Sequence, residues 1–164
     1  MQGDIAAQSA DALVNAAGTS LEMGSGVAGA LRRAGGAVID EEARSKGPVD
    51  LGDVAVTDAG DLDADVVIHA AAMPHYGDGR ATEESIRAAT RNALAAAEDR
   101  GCTSLVIPAL GCGVAGFALA EGARLIAEEL RDHDAAHLED VRFVAYADDE
   151  YATIRRVADE VRGD

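Results

Sequence analysis

Two glycine-rich stretches carry the strongest chemical signal in the sequence. Gly24-Ser25-Gly26-Val27-Ala28-Gly29 and Gly111-Cys112-Gly113-Val114-Ala115-Gly116-Phe117 each follow an apolar run of strand length and lead into a helical pattern. Glycine lets backbone approach a phosphate closely, while N–H groups and the positive end of the next helix dipole attract the anion. Such a site needs no lysine, and Lys46 is the only lysine of the chain. A Walker A loop is excluded, because no G-K-[ST] occurs. Gly111-x-Gly113-x-x-Gly116 fits the dinucleotide fingerprint, but the 48 residues that follow Gly116 leave little room for the rest of a Rossmann half. Either stretch alone serves equally well as a tight turn or a close helix contact; two in one small chain favour an anion site.

Other reactive side chains are sparse. Cys102 and Cys112 form no C-x-x-C pair and have no histidine at metal-ligand spacing, so they read as free thiols of a reducing compartment, with no metal expected. His69 sits inside an apolar run, the setting of a satisfied core histidine. His75 and Asp78 lie in a loop, where a general base would need reach as well as type.

These residues must be placed by strands and helices. Short apolar runs at 12–14, 54–57, 66–70, 104–107 and 141–146, bounded by Gly, Pro or Asp, predict strands. Between them Ile86, Ala89, Thr90, Ala93, Leu94 and Ala97 share one helical face, with Thr82 placed to cap and Glu83 and Glu84 in the first turn. Leu119, Ala123, Ile126, Ala127 and Leu130 make a second stripe, and Tyr151, Ile154, Ala158 and Val161 a third behind Asp148. A further helical segment spans 27–45, interrupted near Gly35 and Gly36. Strands alternating with helices predict an α/β fold of three layers, with a largely parallel sheet covered on both faces. Ligands of such sheets bind beyond the carboxyl ends of the strands, where both glycine stretches fall.

The 164 residues suit one domain. Thirty acidic against fourteen basic side chains give a formal charge of -16, which should repel nucleic-acid backbones. Interleaved with apolar residues, the acids read as a solvated surface suited to a salt-rich, halophilic cytoplasm, where the screening length falls to about 3 Å at molar salt. No apolar run approaches the roughly 18 residues of a membrane span, and the first ten residues lack the pattern of a signal peptide. A cytoplasmic protein with no membrane partner is the expectation.

Taken together the motifs resemble the macrodomains, the ADP-ribose-binding family of Appr-1-p processing type. Gly3-Asp4-Ile5 resembles the family's opening G-D-I, and Asp11-Ala12-Leu13-Val14-Asn15-Ala16-Ala17 its D-A-I-V-N-A-A strand. Gly24-Ser25-Gly26-Val27 is similar to its first phosphate loop, Val67-Ile68-His69-Ala70 to its I-I-H strand, and residues 108–117 to its second loop. The resemblance covers nearly the whole chain and rests on the order and spacing of these motifs. It implies a three-layer α/β/α fold with a mixed, centrally parallel sheet, and no cofactor. It also implies that Asp4 accepts a hydrogen bond from the adenine amino group beside the backbone of Ile5, and that Tyr146, ending the last strand, stacks on the adenine. The two loops would clamp the diphosphate, through Gly111, Cys112, Gly113, Val114, Ala115, Gly116 and Phe117 on one side. Asn15, with the backbone of Gly24, Ser25, Gly26 and Val27, would frame the distal ribose.

Three departures bear on activity. Hydrolytic members commonly carry Asn and Asp where Gly18 and Ala28 stand, and Ala115 replaces an aromatic residue over the distal ribose. No residue is therefore assigned as catalytic. The resemblance leaves open a binding module for ADP-ribose, whether free or on macromolecules, and a slow hydrolase of ADP-ribosyl esters such as O-acyl-ADP-ribose, with water oriented by a ligand phosphate. The rival class is an NAD-type dinucleotide-dependent oxidoreductase. The short strand that usually precedes G-D-I is absent, so an open sheet edge is expected.

Overall fold

The computed structural model describes residues 1–24, 26–74, 79–112 and 117–163. Strands β1 (Ala12–Gly18), β2 (Val54–Asp58), β3 (Val66–Met73), β4 (Ser104–Ile107) and β5 (Asp140–Phe143) form a sheet in the order β2-β3-β1-β4-β5. β3, β1, β4 and β5 run parallel, and β2 pairs antiparallel with β3. Five helices cover it: α1 (Gly26–Gly35), α2 (Ala37–Lys46), α3 (Glu83–Asp99), α4 (Leu119–Asp132) and α5 (Asp148–Arg162).

Side-chain alternation splits the core into two halves, as the period of a strand requires. Ala12, Val14, Ile68, Ala70, Leu105 and Ile107 point to one face, against Ile86, Ala89 and Leu94 of α3 and Ile126 of α4. Leu13, Val67 and Val106 point to the other, against Leu31 of α1 and Ile39 of α2. The mixed three-layer α/β/α arrangement expected from the sequence is the one found.

Local signals account for the helix ends. Thr82 accepts from Ser85 N while Ser85 Oγ accepts from Thr82 N, a reciprocal capping box that fixes the start of α3. The break at Gly36 separates α1 from α2, and its φ of 103° is open to glycine alone at little cost. Strand ends were less legible. β1 continues to Gly18 and β3 to Met73, because each has the other as partner along that length. β5 ends at Phe143, so Tyr146 lies beyond the strand rather than at its end.

The sheet edges are managed differently from expectation. On β2 the side chains of α2 occupy the outward groups: Asp58 N donates to Glu42 Oε1 at 2.9 Å and Lys46 Nζ donates to Val56 O at 2.6 Å. Beyond β5, Gly3 N donates to Ala145 O and Ala145 N to Met1 O, so the first residues cover part of the edge expected to be open. Among the described residues no helix is long and apolar enough to cross a membrane.

Candidate functional site

The chain leaves β1 to build β2 and β3 on one side, then returns to build β4 and β5 on the other. That reversal lies between β1 and β4, where an open α/β sheet forms a crevice at the carboxyl ends of its strands. β1 and β4 pair only at Ala12–Leu105 and Leu13–Val106; past Leu13 the ladder with β4 stops while the ladder with β3 continues. In chain order the first glycine stretch follows β1 and the second follows β4, the two strands that border this gap.

Their glycines differ in physical cause. A Cβ on Gly111 would come within 2.9 Å of both Ala81 Cβ and Ile86 Cγ1, and its φ is 71°. Packing and backbone conformation explain that glycine. A Cβ on Gly24 or Gly26 would meet nothing within 4 Å among the described residues. Gly26 needs its φ of 61° to open α1, whereas neither cause applies to Gly24. Space above the backbone at the start of α1 is what an incoming anion requires. The start of α4 has no side-chain cap, since Ala118 occupies the N-cap position; its first N–H groups lack the kind of partner that Thr82 gives α3.

Asn15 lies where β1 parts from β4, and is 1% exposed. Its Nδ2 is 3.0 Å from His69 Nδ1, and His69 Nε2 is 3.0 Å from Thr57 Oγ1. Thr57 Oγ1 donates its hydrogen to Asp58 O at 3.0 Å. The hydroxyl must therefore accept from Nε2–H, which leaves Nδ1 to accept from the Asn15 amide. Burial holds the imidazole neutral, pushing His69 down to about 4 against the partial opposition of Glu42 and Asp40. The relay fixes which way the Asn15 amide faces, and its Oδ1 has no partner among the described residues. His69 is thus the satisfied core histidine expected, and it does not supply a base.

Asp4 and Tyr146 each follow directly on segments that pair with one another. Parallel pairing of Gln2 with Ala145 brings the segments together, and Gln2 Nε2 donates to Tyr146 O at 3.4 Å. Asp4, itself exposed, caps the 3-10 turn Ile5–Ala7 by accepting from Ala6 N at 2.9 Å. Ile5 is buried with Ala28 and Leu31, which ties this turn to α1 and so to the first glycine stretch. Tyr146 is 75% exposed, the most solvent-accessible large apolar side chain described.

Cys112 and Phe117 form an isolated parallel bridge that closes the second stretch at its base. Burial pushes the Cys112 thiol up to about 11, so it stays protonated and inert near neutral pH. Ser25, His75, Asp78, Gly113, Val114, Ala115 and Gly116 lie outside the described residues. Among the described residues no group of three or more His, Cys, Asp or Glu could hold a metal ion. Sequence reasoning missed two polar residues that belong to this region, Thr57 and Asp40. Both are buried, and their only sequence signal is a polar side chain inside an apolar pattern.

With this geometry in place, comparison with known proteins fixes the class. The sequence matches the macro domain family over residues 14–126. It is 38% identical over 162 residues to an uncharacterized protein of Sulfolobus acidocaldarius, covering 96% of this chain and 87% of that one. It is also 42% identical over 147 residues to an uncharacterized protein of Mycobacterium tuberculosis, covering 90% of this chain but 40% of the relative. The chain thus spans well under half the length of the mycobacterial relatives it matches. Among solved structures, the Oceanobacillus iheyensis macrodomain with ADP has a TM-score of 0.88 at 22% identity, covering 98% of this chain and 89% of that chain. A mutant of that macrodomain with ADPR has a TM-score of 0.87 at 22% identity, covering 99% and 91%. The Trypanosoma brucei macrodomain in complex with ADP-ribose has a TM-score of 0.82 at 27% identity, covering 94% and 66%. The chain belongs to the macro domain family.

Proposed function

We propose that this chain binds ADP-ribose and its close derivatives in the gap between β1 and β4. Adenine lies between Asp4 and Tyr146, the diphosphate lies between the two glycine stretches, and Asn15 with the backbone of Gly24, Gly26 and Val27 frames the distal ribose. The observation that carries this reading is the exposure of Tyr146, next to the Ala145 that pairs with Gln2 and Gly3. An aromatic ring left 75% in water contributes little to the core and is free to stack on a base, which supports this reading. Family membership and the ADP-ribose complexes of similar macrodomains support the same ligand.

Hydrolysis of ADP-ribosyl esters is proposed only as a slow activity. Gly18 supplies no side chain, Ala28 is packed inward, His69 is locked in its relay and the Cys112 thiol is protonated. A positioned general base is typically worth 10²- to 10⁴-fold, and none of these residues provides one. Orientation of water by a ligand phosphate remains as the source of turnover.

Calorimetry at molar salt tests the binding reading. ADP-ribose should release heat on a single site, and NAD should bind more weakly. Equal affinity for NAD would favour a nicotinamide-dependent oxidoreductase, and no heat with ADP-ribose would refute the reading. Assay against a panel of ADP-ribosyl esters, with free ADP-ribose as the binding control, measures turnover.

A further inference from the structure

A buried carboxylate behind the first glycine stretch has no part in the function so far. Asp40, in the first turn of α2, is 3% exposed. Its Oδ1 accepts from Met23 N at 2.9 Å, and its Oδ2 faces Arg44 at 2.8 Å and Arg32 at 3.8 Å. Burying a carboxylate costs several kcal/mol before its partners offset it, and an apolar residue of similar size is often as good for stability. The segment it grips is itself constrained. Leu21, fully buried, adopts a φ of 63°, the one positive φ outside glycine among the described residues. Such a conformation persists only where surrounding contacts over-determine it. The ties here are Leu21 N to Gly18 O, Val49 N to Thr19 O, and Met23 N to Asp40. The last lies one residue before Gly24, where the backbone turns into the open space above α1.

We infer that Asp40 is a positioning residue for the first glycine stretch: its carboxylate fixes the Met23 amide so that the backbone at Gly24 faces the ligand's diphosphate and distal ribose. This rests on the ADP-ribose reading above. Asp40 touches no ligand; it acts through the backbone, and its arginines neutralise the charge that burial would otherwise penalise.

Asp40→Leu and Asp40→Asn test the role as a matched pair. Both lose the charge opposite Arg44 and Arg32, but only asparagine retains an acceptor for Met23 N–H. Asp40→Leu should weaken ADP-ribose about 10-fold or more, the scale of one lost buried hydrogen bond. Asp40→Asn should stay within about 3-fold of the parent. Adenosine monophosphate lacks the second phosphate and the distal ribose, so its affinity should change less than about 2-fold in either variant. Hydrogen exchange should show the Met23 amide protected in the parent and in Asp40→Asn, and released in Asp40→Leu. Unchanged ADP-ribose affinity in Asp40→Leu, equal losses in both variants, or equal losses for the two ligands overturns the positioning role. Should the leucine variant fail to fold, rapid exchange of the Met23 amide in the parent overturns it instead. Failure of the parent to bind ADP-ribose overturns the functional reading, and is distinct from a parent that binds while Asp40→Leu binds equally well.

Discussion

Asn15 Nδ2 and His69 Nδ1 stand 3.0 Å apart at directly paired positions of β1 and β3, both nearly or fully buried. The contact makes the neutral imidazole part of the fold, because a proton on Nδ1 would point at the amide hydrogens of Asn15. Burial lowers the folded pKa to about 4 from the ordinary 6.5. The unfolded chain therefore binds more protons between those values, so this contribution is complete above pH 6.5 and is lost as pH falls toward 4. At about 1.4 kcal/mol per unit, on the order of 3 kcal/mol of stability should disappear over that range. Denaturant titrations at pH 7, 5.5 and 4 check it. The parent should lose stability more steeply than His69→Leu, which is less stable at pH 7 but lacks this titration.

Tyr146→Ala should leave the melting temperature unchanged, since a ring 75% in solvent contributes little to the core. Its effect should fall on binding, with ADP-ribose weakened by about 1 to 3 kcal/mol, the value of one base–aromatic stack. Tyr146→Phe should bind like the parent. A drop in melting temperature without loss of affinity would assign the ring to packing.

Asp4→Ala should show two separate losses. The cap to Ala6 N costs about 1 kcal/mol of stability, and a lost bond to the adenine amino group costs about 1 to 3 kcal/mol of affinity. Calorimetry with ADP-ribose and with a ribose diphosphate lacking the base separates them, because the base-free ligand should bind parent and variant alike.

Gly24→Ala and Gly111→Ala should fail in opposite ways. The first adds a methyl group to open space and should fold normally while binding ADP-ribose more weakly. The second places a Cβ against Ala81 and Ile86 at a φ of 71°, and should destabilise the chain by about 2 to 4 kcal/mol. Thermal melts beside calorimetry give both readouts.

Far from the gap, Glu98 gathers the segment after α4 by accepting from Ala136 N, His137 N, Leu138 N and His133 Nε2. Desolvation acts against its charge, but these donors prevail and hold the carboxyl down to about 2. Its stabilisation is present above the ordinary carboxylate pKa of 4.5 and lost as pH falls toward 2. Glu98→Gln should flatten the acid limb of a stability profile and leave ADP-ribose affinity at pH 7 unaltered.

What the sequence determined alone is what local physics determines. Thr82 and Ser85 are three residues apart, so their capping box is written in the chain, as are the stripes of α3 and α4 and the glycine break between α1 and α2. The order and spacing of the glycine stretches likewise point to an anion site from the sequence alone. Tertiary structure decided the rest. The length of β1 and β3 follows from their mutual pairing, and the antiparallel run of β2 from how α2 returns the chain. Asp40 acquires meaning only through Met23, seventeen residues away, and Thr57 only through His69. Exposure of Tyr146 likewise depends on β5 stopping at Phe143. Periodicity predicts which face a residue takes; whether a buried polar atom finds a partner depends on contacts between segments that the chain brings together only when folded.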